Sequence, residues 1–331
     1  MEIKNKKIII LGGTGFIGRN LINYFSKKKF KISATYNRKP PFINKNVKWM
    51  KVDLCKSKDV KNLFKSFNIV IQAAATTSGS RDIIHQPHIH ITDNAIMNSL
   101  ILKEVYDSNV EHFLFFSCVL MYPPSSRFVD EKKKIEEFHP QYFGAANTKI
   151  YIEKICEFFS RISKTKFTII RHSNVFGPHD KFDLDKSHIF GATVTKVGLA
   201  KKIKKEKIEV WGDGKEKRDL LYIDDLINFV WCALNNQNTN YEIFNCGSMK
   251  SFSVTQIVKN IINVMHPKCK IIYNNKRPSI KMSLSLNCEK AKKHIGWSPK
   301  VSFVEGVKKT AEWWTKEFLP KIKTKDYIDK I

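Results

Sequence analysis

The stretch "IIILGGTGFIG", Ile8 to Gly18, decides the fold of this 331-residue chain. Four apolar residues indicate a buried strand, and Gly12, Gly15 and Gly18 follow with the spacing G-x-x-G-x-x-G at the opening of a helix. Glycines there let the backbone turn tightly and approach a pyrophosphate, whose charge is stabilised by the amide groups and dipole of the helix N-terminus. The stretch therefore predicts a dinucleotide-binding loop between the first strand and the first helix.

Short apolar runs alternate with amphipathic stretches through the first half of the chain, which is typical of βαβ units in a parallel sheet. Strands are predicted at Lys7–Leu11, Lys31–Tyr36, Val47–Val52, Ile69–Gln72, His112–Ser117 and Phe167–Arg171. Two long helices are predicted. One ends at Ser163 and carries Lys149 near its start, and the other is Ile223–Asn236. We expect an α/β fold, a Rossmann-type doubly wound parallel sheet with a smaller mixed α/β C-terminal lobe. The predicted dinucleotide-binding domain comprises residues 1–176 with 220–246, and the lobe residues 177–219 with 247–331.

The end of the second predicted strand reads "TYNRKP", residues 35–40, and carries no carboxylate. An acidic residue at this place would hold the ribose 2′-OH of NAD. Asn37 and Arg38 can instead hold a 2′-phosphate through charge-assisted hydrogen bonds, so the sequence favours NADP over NAD as cofactor. The alternative is that Arg38 only stacks on the adenine.

Composition narrows the classes of function. Hydrophobic residues make up 42% of the chain, which is ample for a globular core. No long apolar run or signal-peptide pattern is present, so a cytoplasmic protein without a membrane partner is predicted. The seven cysteines lack zinc-ligand spacing, and no metal site is predicted. The net charge of +27 comes from lysines spread along the whole chain, which suits an anionic nucleotide substrate better than a nucleic acid.

Six further segments carry recognisable motifs: "QAAA" (72–75), "FLFFSCVLMYP" (113–123), "KIYIEKICE" (149–157), "NVFGPHDKF" (174–182), "KSHI" (186–189) and "VWGDGKEKRDLLYIDD" (210–225). Together with the glycine loop they resemble the extended short-chain dehydrogenase/reductase family, that is, the NAD-dependent epimerase/dehydratase family, and within it the GDP-L-fucose synthase branch. The resemblance covers roughly residues 5 to 300. It implies an NADP-dependent oxidoreductase or epimerase acting on a GDP-linked 4-keto hexose or heptose. It also implies a homodimer, a C-terminal lobe that binds the nucleotide sugar, and a place in surface-polysaccharide biosynthesis.

The resemblance breaks at the reaction centre, where such enzymes use a Ser or Thr, a Tyr and a Lys. Lys149 matches the lysine, which holds the nicotinamide ribose and lowers the pKa of the tyrosine. The tyrosine position, four residues earlier, holds Ala145, and the serine position holds Cys118 beside Ser117. Alanine cannot transfer a proton, and loss of a general acid typically costs about 10²–10⁴-fold in rate.

Several explanations stand side by side. Tyr142 lies seven residues before Lys149 and can reach the site if its loop bends inward. His188 matches the histidine that the branch uses as an acid in epimerisation, although the paired cysteine of that branch falls at Leu120, so Cys118 would have to substitute. Alternatively the alanine, natural or engineered, leaves a catalytically silent binding protein.

The remaining site residues follow from the resemblance and from the glycine loop. Those predicted to bind the cofactor, besides the three glycines, Asn37, Arg38 and Lys149, are Thr14, Phe16, Ile17, Asp53, Leu54, Ala73, Ala74 and Ala75. Those predicted to bind the substrate are Asn174, His188, Lys196, Trp211 and Arg218. A planar guanidinium suits two phosphate oxygens, which gives Arg218 a physical reason beyond the resemblance.

Overall fold

A computed structural model describes residues 3–77, 80–123, 125, 128–133, 135, 138–276, 283–323 and 327. Its strands are β1 Ile8–Leu11, β2 Ile32–Tyr36, β3 Val47–Lys51, β4 Ile69–Gln72, β5 His112–Phe116, β6 Phe128–Val129, β7 Lys166–His172, β8 Asn174–Phe176, β9 Lys207–Trp211, β10 Lys217–Tyr222, β11 Tyr241–Cys246, β12 Ser251–Ser253, β13 Lys270–Asn274 and β14 Ser285–Leu286.

Its helices are α1 Phe16–Lys27, α2 Ser57–Val60, α3 Ser80–His85, α4 Thr92–Asp107, α5 Phe143–Ile162, α6 Ile189–Lys202, α7 Ile223–Asn236, α8 Val254–Met265, α9 Glu289–Ile295 and α10 Phe303–Trp313. Short 3₁₀ turns occur at Ile3–Asn5, Pro87–His90, Pro140–Tyr142 and Leu319–Lys321, and a π-helical turn, Trp314–Phe318, continues α10. Among the helices of the described ranges, none combines the length and apolar character needed to cross a lipid bilayer.

Seven strands form one parallel sheet in the order β11-β7-β5-β4-β1-β2-β3. Every residue of β1, β4 and β5 is buried, because helices cover both faces of the sheet and each face needs an apolar side chain. The predicted Rossmann-type α/β fold is therefore confirmed. The six predicted strands occur within one residue at either end, and α7 has the predicted bounds.

The order of the strands reverses direction at β1, since β2 lies on one side of it and β4 on the other. In open parallel sheets the ligand binds beyond the carboxyl ends of the strands at such a switch point. The glycine loop after β1, the segment after β2 and the segment after β4 all meet there. The fold thus gathers the three predicted cofactor segments at one edge.

The smaller part of the chain is built from short strands around α6, α8 and α10. Strand β10 pairs parallel with β8 and antiparallel with β12, while β9 pairs with β13 and β6 with β14. Strand β8 begins two residues after the end of β7, so the chain passes directly from the large sheet into the smaller one. The predicted division into two domains stays a prediction.

Candidate functional site

The glycine loop has the geometry of a phosphate cradle. Gly12 has φ +72°, and a Cβ there would lie 2.7 Å from the Ala74 Cα. A Cβ on Gly18 would lie 2.3 Å from the Gly12 carbonyl oxygen. Because the N-cap of α1 is Gly15, no side chain of the cap residue covers the first amide groups of the helix. The loop therefore fits the pyrophosphate of a dinucleotide.

The other predicted cofactor residues surround this loop. Thr14 and Leu54 are buried, Phe16, Ile17, Asp53, Ala73 and Ala74 are half-buried, and Ala75, Asn37 and Arg38 are exposed. The Ala73 amide continues the pairing of β4 with β1 by donating to the Leu11 carbonyl at 3.2 Å. The segment after β4 is thus held against the start of the glycine loop.

Arg38 lies on one side of the β2 end, near the segment after β3. Burial and the carboxylates of Asp93 and Asp53 raise the pKa of the Cys55 thiol, and the positive charge of Arg38 opposes that shift. The Asp53 carboxylate also accepts a hydrogen bond from the Cys55 amide at 3.2 Å. Arg38 therefore lies near the Cys55 thiol, in the segment after β3.

Lys39 lies on the other side of the β2 end, next to Arg19 in the second turn of α1. Burial lowers the pKa of Lys39, and the charge of Arg19 lowers it further. The Arg19 guanidinium lies 4.4 Å from the ring centroid of Phe42, and its buried Nε makes no hydrogen bond to any described residue. Arg19 and Lys39 were not predicted as a pair from the sequence, because they come together only when the loop after β2 folds onto α1.

Lys149 occupies the second turn of α5, with its ammonium at the end of β5. Nζ donates to the Phe116 carbonyl at 2.9 Å and lies 4.5 Å from the ring centroid of Phe115. Burial lowers its pKa, while the nearby Cys118 and Glu153 have the opposite effect. Ala145 lies one turn earlier on the same face of the helix, as the spacing predicts. The predicted lysine is buried at the end of β5, and the methyl group of Ala145 occupies the position where the resemblance expects a tyrosine.

Ser117 belongs to a buried polar network rather than to the cleft. Its hydroxyl donates to Glu153 Oε1 at 2.6 Å, and Glu153 accepts from Nε and Nη2 of Arg171. Arg171 Nη1 also donates to the Tyr122 hydroxyl at 2.9 Å, which in turn donates to Asn245 Oδ1 at 2.8 Å. Ser117 and Tyr122 therefore use their hydroxyl groups to join strands and helix.

Two adjacent pockets lie beyond Lys149. The alanine pocket has about 290 Å³ of empty space and is lined by Ile83, Pro87, His90, Leu120, Gln141, Tyr142, Gly144 and Ala145. The arginine pocket has about 440 Å³ and is lined by Val119, Leu120, Tyr142, Ser173, Asn174, Lys217, Arg218, Asp219, Leu284 and Leu286. Leu120 and Tyr142 belong to both, so the two pockets are halves of one cleft.

Tyr142 is the predicted proton donor that borders both pockets. It is the last residue of a 3₁₀ turn directly before α5, so its side chain is not carried by the helix. Burial raises its pKa, and Arg218 opposes that shift. Burial likewise raises the pKa of the Cys118 thiol, with Lys149 opposing. Both groups are therefore protonated and neutral at pH 7.

His188 caps the start of α6, and burial lowers its pKa, with Lys181, Arg218 and His90 adding to the effect. Arg218 donates through Nη1 to the Lys217 carbonyl at 3.0 Å. Asn174 donates to the Asp219 carbonyl at 3.3 Å. The structure thus brings His188, Arg218 and Asn174 to the same cationic region.

Lys196 and Trp211 form a separate pair. Lys196 Nζ donates to the Glu209 carbonyl at 2.9 Å and lies 5.6 Å from the ring of Trp211. Neither residue lines the two pockets. If they contact the substrate, they do so at a part of it distant from the alanine pocket.

Comparison with known proteins identifies the family. Residues 8–247 match the NAD dependent epimerase/dehydratase family. The chain belongs to this family. Its chemistry depends on a nicotinamide cofactor, which agrees with the cradle formed by Gly12 and Gly18.

Two relatives in this family match nearly the whole chain. GDP-L-colitose synthase of Yersinia pseudotuberculosis is 27% identical over 316 residues, which is 94% of this chain and 98% of the relative. GDP-L-fucose synthase of Azorhizobium caulinodans is 25% identical over 315 residues, covering 94% and 97%. The crystal structure of UDP-glucose 4-epimerase from Thermotoga maritima with UDP-glucose shares the fold, with a TM-score of 0.82 at 24% identity, covering 94% of this chain and 99% of that one.

Proposed function

We propose that the protein is an NADP-dependent oxidoreductase or epimerase acting on a GDP-linked 4-keto hexose or heptose, with a proton donor other than the usual tyrosine. The observation that carries the proposal is the divided cleft. Ala145, one helical turn before Lys149, lines one half, and Arg218 with Asn174 lines the other. A sugar in the alanine pocket can keep its diphosphate in the arginine pocket.

The charge of the arginine pocket supports a nucleotide diphosphate as the substrate's anchor. Arg218 lines this pocket, and Arg218 and Lys181 each lie close enough to His188 to lower its pKa. A guanidinium binds two phosphate oxygens in one plane, which suits a diphosphate. Guanine as the base is supported by the names of the two relatives described above.

NADP is the proposed cofactor because three basic side chains flank the end of β2. Arg38 lies near Cys55, while Lys39 lies near Arg19. The pair of Lys39 and Arg19 is the more suitable place for a 2′-phosphate, since two neighbouring cations gain from an intervening dianion. Lys149 would hold the nicotinamide ribose, and the glycine loop the pyrophosphate.

When bound, the cofactor exchanges a hydride with a carbon of the sugar ring, and the protein has to manage the accompanying proton. Tyr142 borders both pockets and is protonated at pH 7, so it can donate. His188 lies beside Arg218 and is neutral at pH 7. Cys118 has its pKa raised by burial, so it is a poor base. Tyr142 and His188 are thus the better of the three candidates named from the sequence.

A catalytically silent nucleotide-sugar or NADP-binding protein is the second candidate, and Ala145 favours it. NADPH oxidation with GDP-4-keto-6-deoxymannose and a GDP-4-keto-heptose, beside the Ala145→Tyr variant and with products followed by NMR in D₂O, separates the two. Turnover by the wild type supports the enzyme, and deuterium uptake without NADPH loss assigns an epimerase. A silent wild type with an active Ala145→Tyr variant supports the binding protein.

A homodimer is proposed from an apolar surface on α4 and α5. Ile96 and Tyr106 of α4 and Tyr151, Phe158 and Ile162 of α5 are each 39–56% exposed. Their spacing places each set along one face of its helix, and the two helices lie side by side. A second copy would cover this surface, so we propose a dimer. From the family resemblance and the composition we further propose that it is cytoplasmic, works in surface-polysaccharide biosynthesis, and has no nucleic-acid or membrane partner.

A further inference from the structure

His90 is a group in the cleft that the family resemblance does not identify. It ends the 3₁₀ turn Pro87–His90 and lines the alanine pocket together with Ala145 and Tyr142. Its Nε2 atom is buried and has no hydrogen-bond partner among the described residues. A buried polar atom without a partner is costly, and such atoms cluster where a ligand supplies the partner. The ring therefore carries an unused acceptor or donor in the half of the cleft that lacks the tyrosine.

The two nitrogens of this ring have different roles. A hydrogen bond with the backbone of Thr76 raises the pKa of His90, which means that the ring donates a proton there. Since Nε2 has no partner, the donor is Nδ1. In the neutral ring Nε2 then carries the lone pair, as in a histidine that is oriented as a base.

The backbone holds this ring in place. Asn94 donates from Nδ2 to the carbonyls of both Thr76 and His90 at 2.9 Å, so the turn is tied to the segment after β4. The next residue, Ile91, packs against the start of α5 so closely that a Cβ on Gly144 would lie 2.5 Å from its Cδ1. The turn that carries His90 therefore packs directly on the start of α5, beside Ala145.

The charges around His90 keep it neutral at pH 7. Burial lowers its pKa, the carboxylate of Asp82 on α3 raises it, and Lys181 in the loop after β8 lowers it. His188 at the start of α6 also faces it, since His90 lowers the pKa of His188. Tyr142, the remaining titratable group of the pocket, is neutral. The ring is thus set to accept a proton and to return it.

We propose that His90 Nε2 transfers the proton that the missing tyrosine would have handled. In the oxidising direction the O–H bond of a sugar hydroxyl breaks and its proton passes to Nε2. The C–H bond at the carbon that bears this hydroxyl also breaks. Its hydride reduces the nicotinamide, and a C=O bond forms at that carbon. In the reducing direction the hydride returns to the carbon and imidazolium Nε2–H protonates the oxygen. This inference rests on the proposed function and adds the residue that completes it.

Three variants test the proposal, with NADPH oxidation of the GDP-4-keto sugars as the first readout. His90→Asn should lose about 10²–10⁴-fold in kcat, the usual effect of removing an acid or base, while the dissociation constants for GDP and NADPH stay within twofold. His90→Ala should recover activity when free imidazole is added, which a purely structural role would not show. His88→Asn, an exposed histidine of the same turn, is the matched control and should keep wild-type kcat.

The pH profile and the ring itself give independent readouts. The rate of reduction should fall with rising pH through a pKa below 6.5, because the donor must be the imidazolium, and His90→Asn should lose this step. In the wild-type protein, ¹⁵N NMR should show the Nδ1–H tautomer at pH 7, and GDP-mannose should shift the Nε2 signal.

The outcomes distinguish a failure of the role assigned to His90 from a failure of the proposed function. If the wild type turns over and His90→Asn or His90→Gln, checked to be folded, is equally active, the assignment of His90 is wrong and the proposed function stands. If GDP-mannose binds and leaves the Nε2 signal unchanged, the assignment is likewise overturned. If the wild type is silent towards every GDP-4-keto sugar, the proposed function fails and the role of His90 fails with it.

Discussion

Ser117 and Glu153 are joined by a 2.6 Å hydrogen bond in which the buried serine hydroxyl donates to the carboxylate. The bond fixes the end of β5 to the middle of α5, one turn after Lys149 on the same face of the helix. Glu153 also pairs with Arg171 of β7, and both side chains of this ion pair are 5% exposed or less. The lysine that serves the reaction is therefore mounted on a helix anchored by a charged pair.

Breaking this ion pair from one side should be strongly destabilising. Arg171→Met leaves the Glu153 carboxylate buried without its charge partner, which typically costs about 3–5 kcal/mol in the free energy of unfolding. The double variant with Glu153→Met should cost clearly less than the sum of the two single variants. Urea unfolding followed by circular dichroism measures all three. Lys154→Met, which breaks an exposed pair with Glu157, is the control and should cost about 1 kcal/mol or less. Equal costs for Arg171→Met and Lys154→Met would contradict this account.

Replacement of Arg19 or Lys39 should change the choice of cofactor. Each Ala variant loses one charged hydrogen bond to a 2′-phosphate, worth about 1.5–3 kcal/mol, so the Kd for NADPH should rise about tenfold or more. The Kd for NADH, which lacks that phosphate, should hardly change. Titration of nicotinamide fluorescence gives both constants. Lys45→Ala, an exposed lysine in the same loop, should leave both unchanged. A parallel loss of NADH affinity would show that the pair serves the loop structure instead.

The free energy of unfolding should fall in acid because of His112. This residue is 7% exposed, shares a 2.7 Å hydrogen bond with Thr168, and burial lowers its pKa to about 3. Between that value and the usual 6.5, the unfolded chain binds the proton and the folded one does not. Stability is therefore full above pH 6.5 and is lost by about 1.4 kcal/mol per pH unit as the pH falls below it. Urea unfolding at pH 7 and pH 5 should show a smaller difference for His112→Asn than for the wild type. An identical slope would remove His112 as a cause.

The apolar face of α4 and α5 should control the oligomeric state. Phe158→Glu introduces a charge into the proposed interface, so the protein should sediment as a monomer while the wild type sediments as a dimer. Phe128, on β6, is 56% exposed like Phe158 but lies on neither helix. Phe128→Glu is therefore the matched control, and it should remain dimeric in analytical ultracentrifugation. Loss of the dimer in both variants, or in neither, would move the interface elsewhere.

Sequence patterns identify the large sheet because both faces of its strands are buried, which produces uninterrupted apolar runs such as Ile8–Leu11. The seventh strand, β11, was not predicted as a strand. Its first three residues are only half-buried, and Glu242 interrupts the run because this strand lies at the edge of the sheet.

The candidate site was predictable where one helix or one loop carries the residues, as with Lys149 and Ala145 on α5. His90 was not, because "HQPHIHITD", residues 85–93, has the composition of an exposed loop. Its place in the cleft comes from packing of this turn on the start of α5, where Ile91 meets Gly144, residues far apart in the chain. Arg19 and Lys39 were missed for the same reason.

The buried network that includes Ser117, Tyr122 and Arg171 also has a consequence for the order of folding during synthesis. The Asn245 side chain accepts a hydrogen bond from the Tyr122 hydroxyl and donates one to the Val129 carbonyl at 2.8 Å. Its backbone amide donates to the Glu131 carboxylate at 2.6 Å. A chain still emerging from the ribosome has its glycine loop and α5 long before it has Asn245. Until then the Tyr122 hydroxyl lacks the acceptor that Asn245 supplies. Contacts between such distant parts of a chain form late, so we expect the cofactor surface to become rigid only after β11 has joined the sheet.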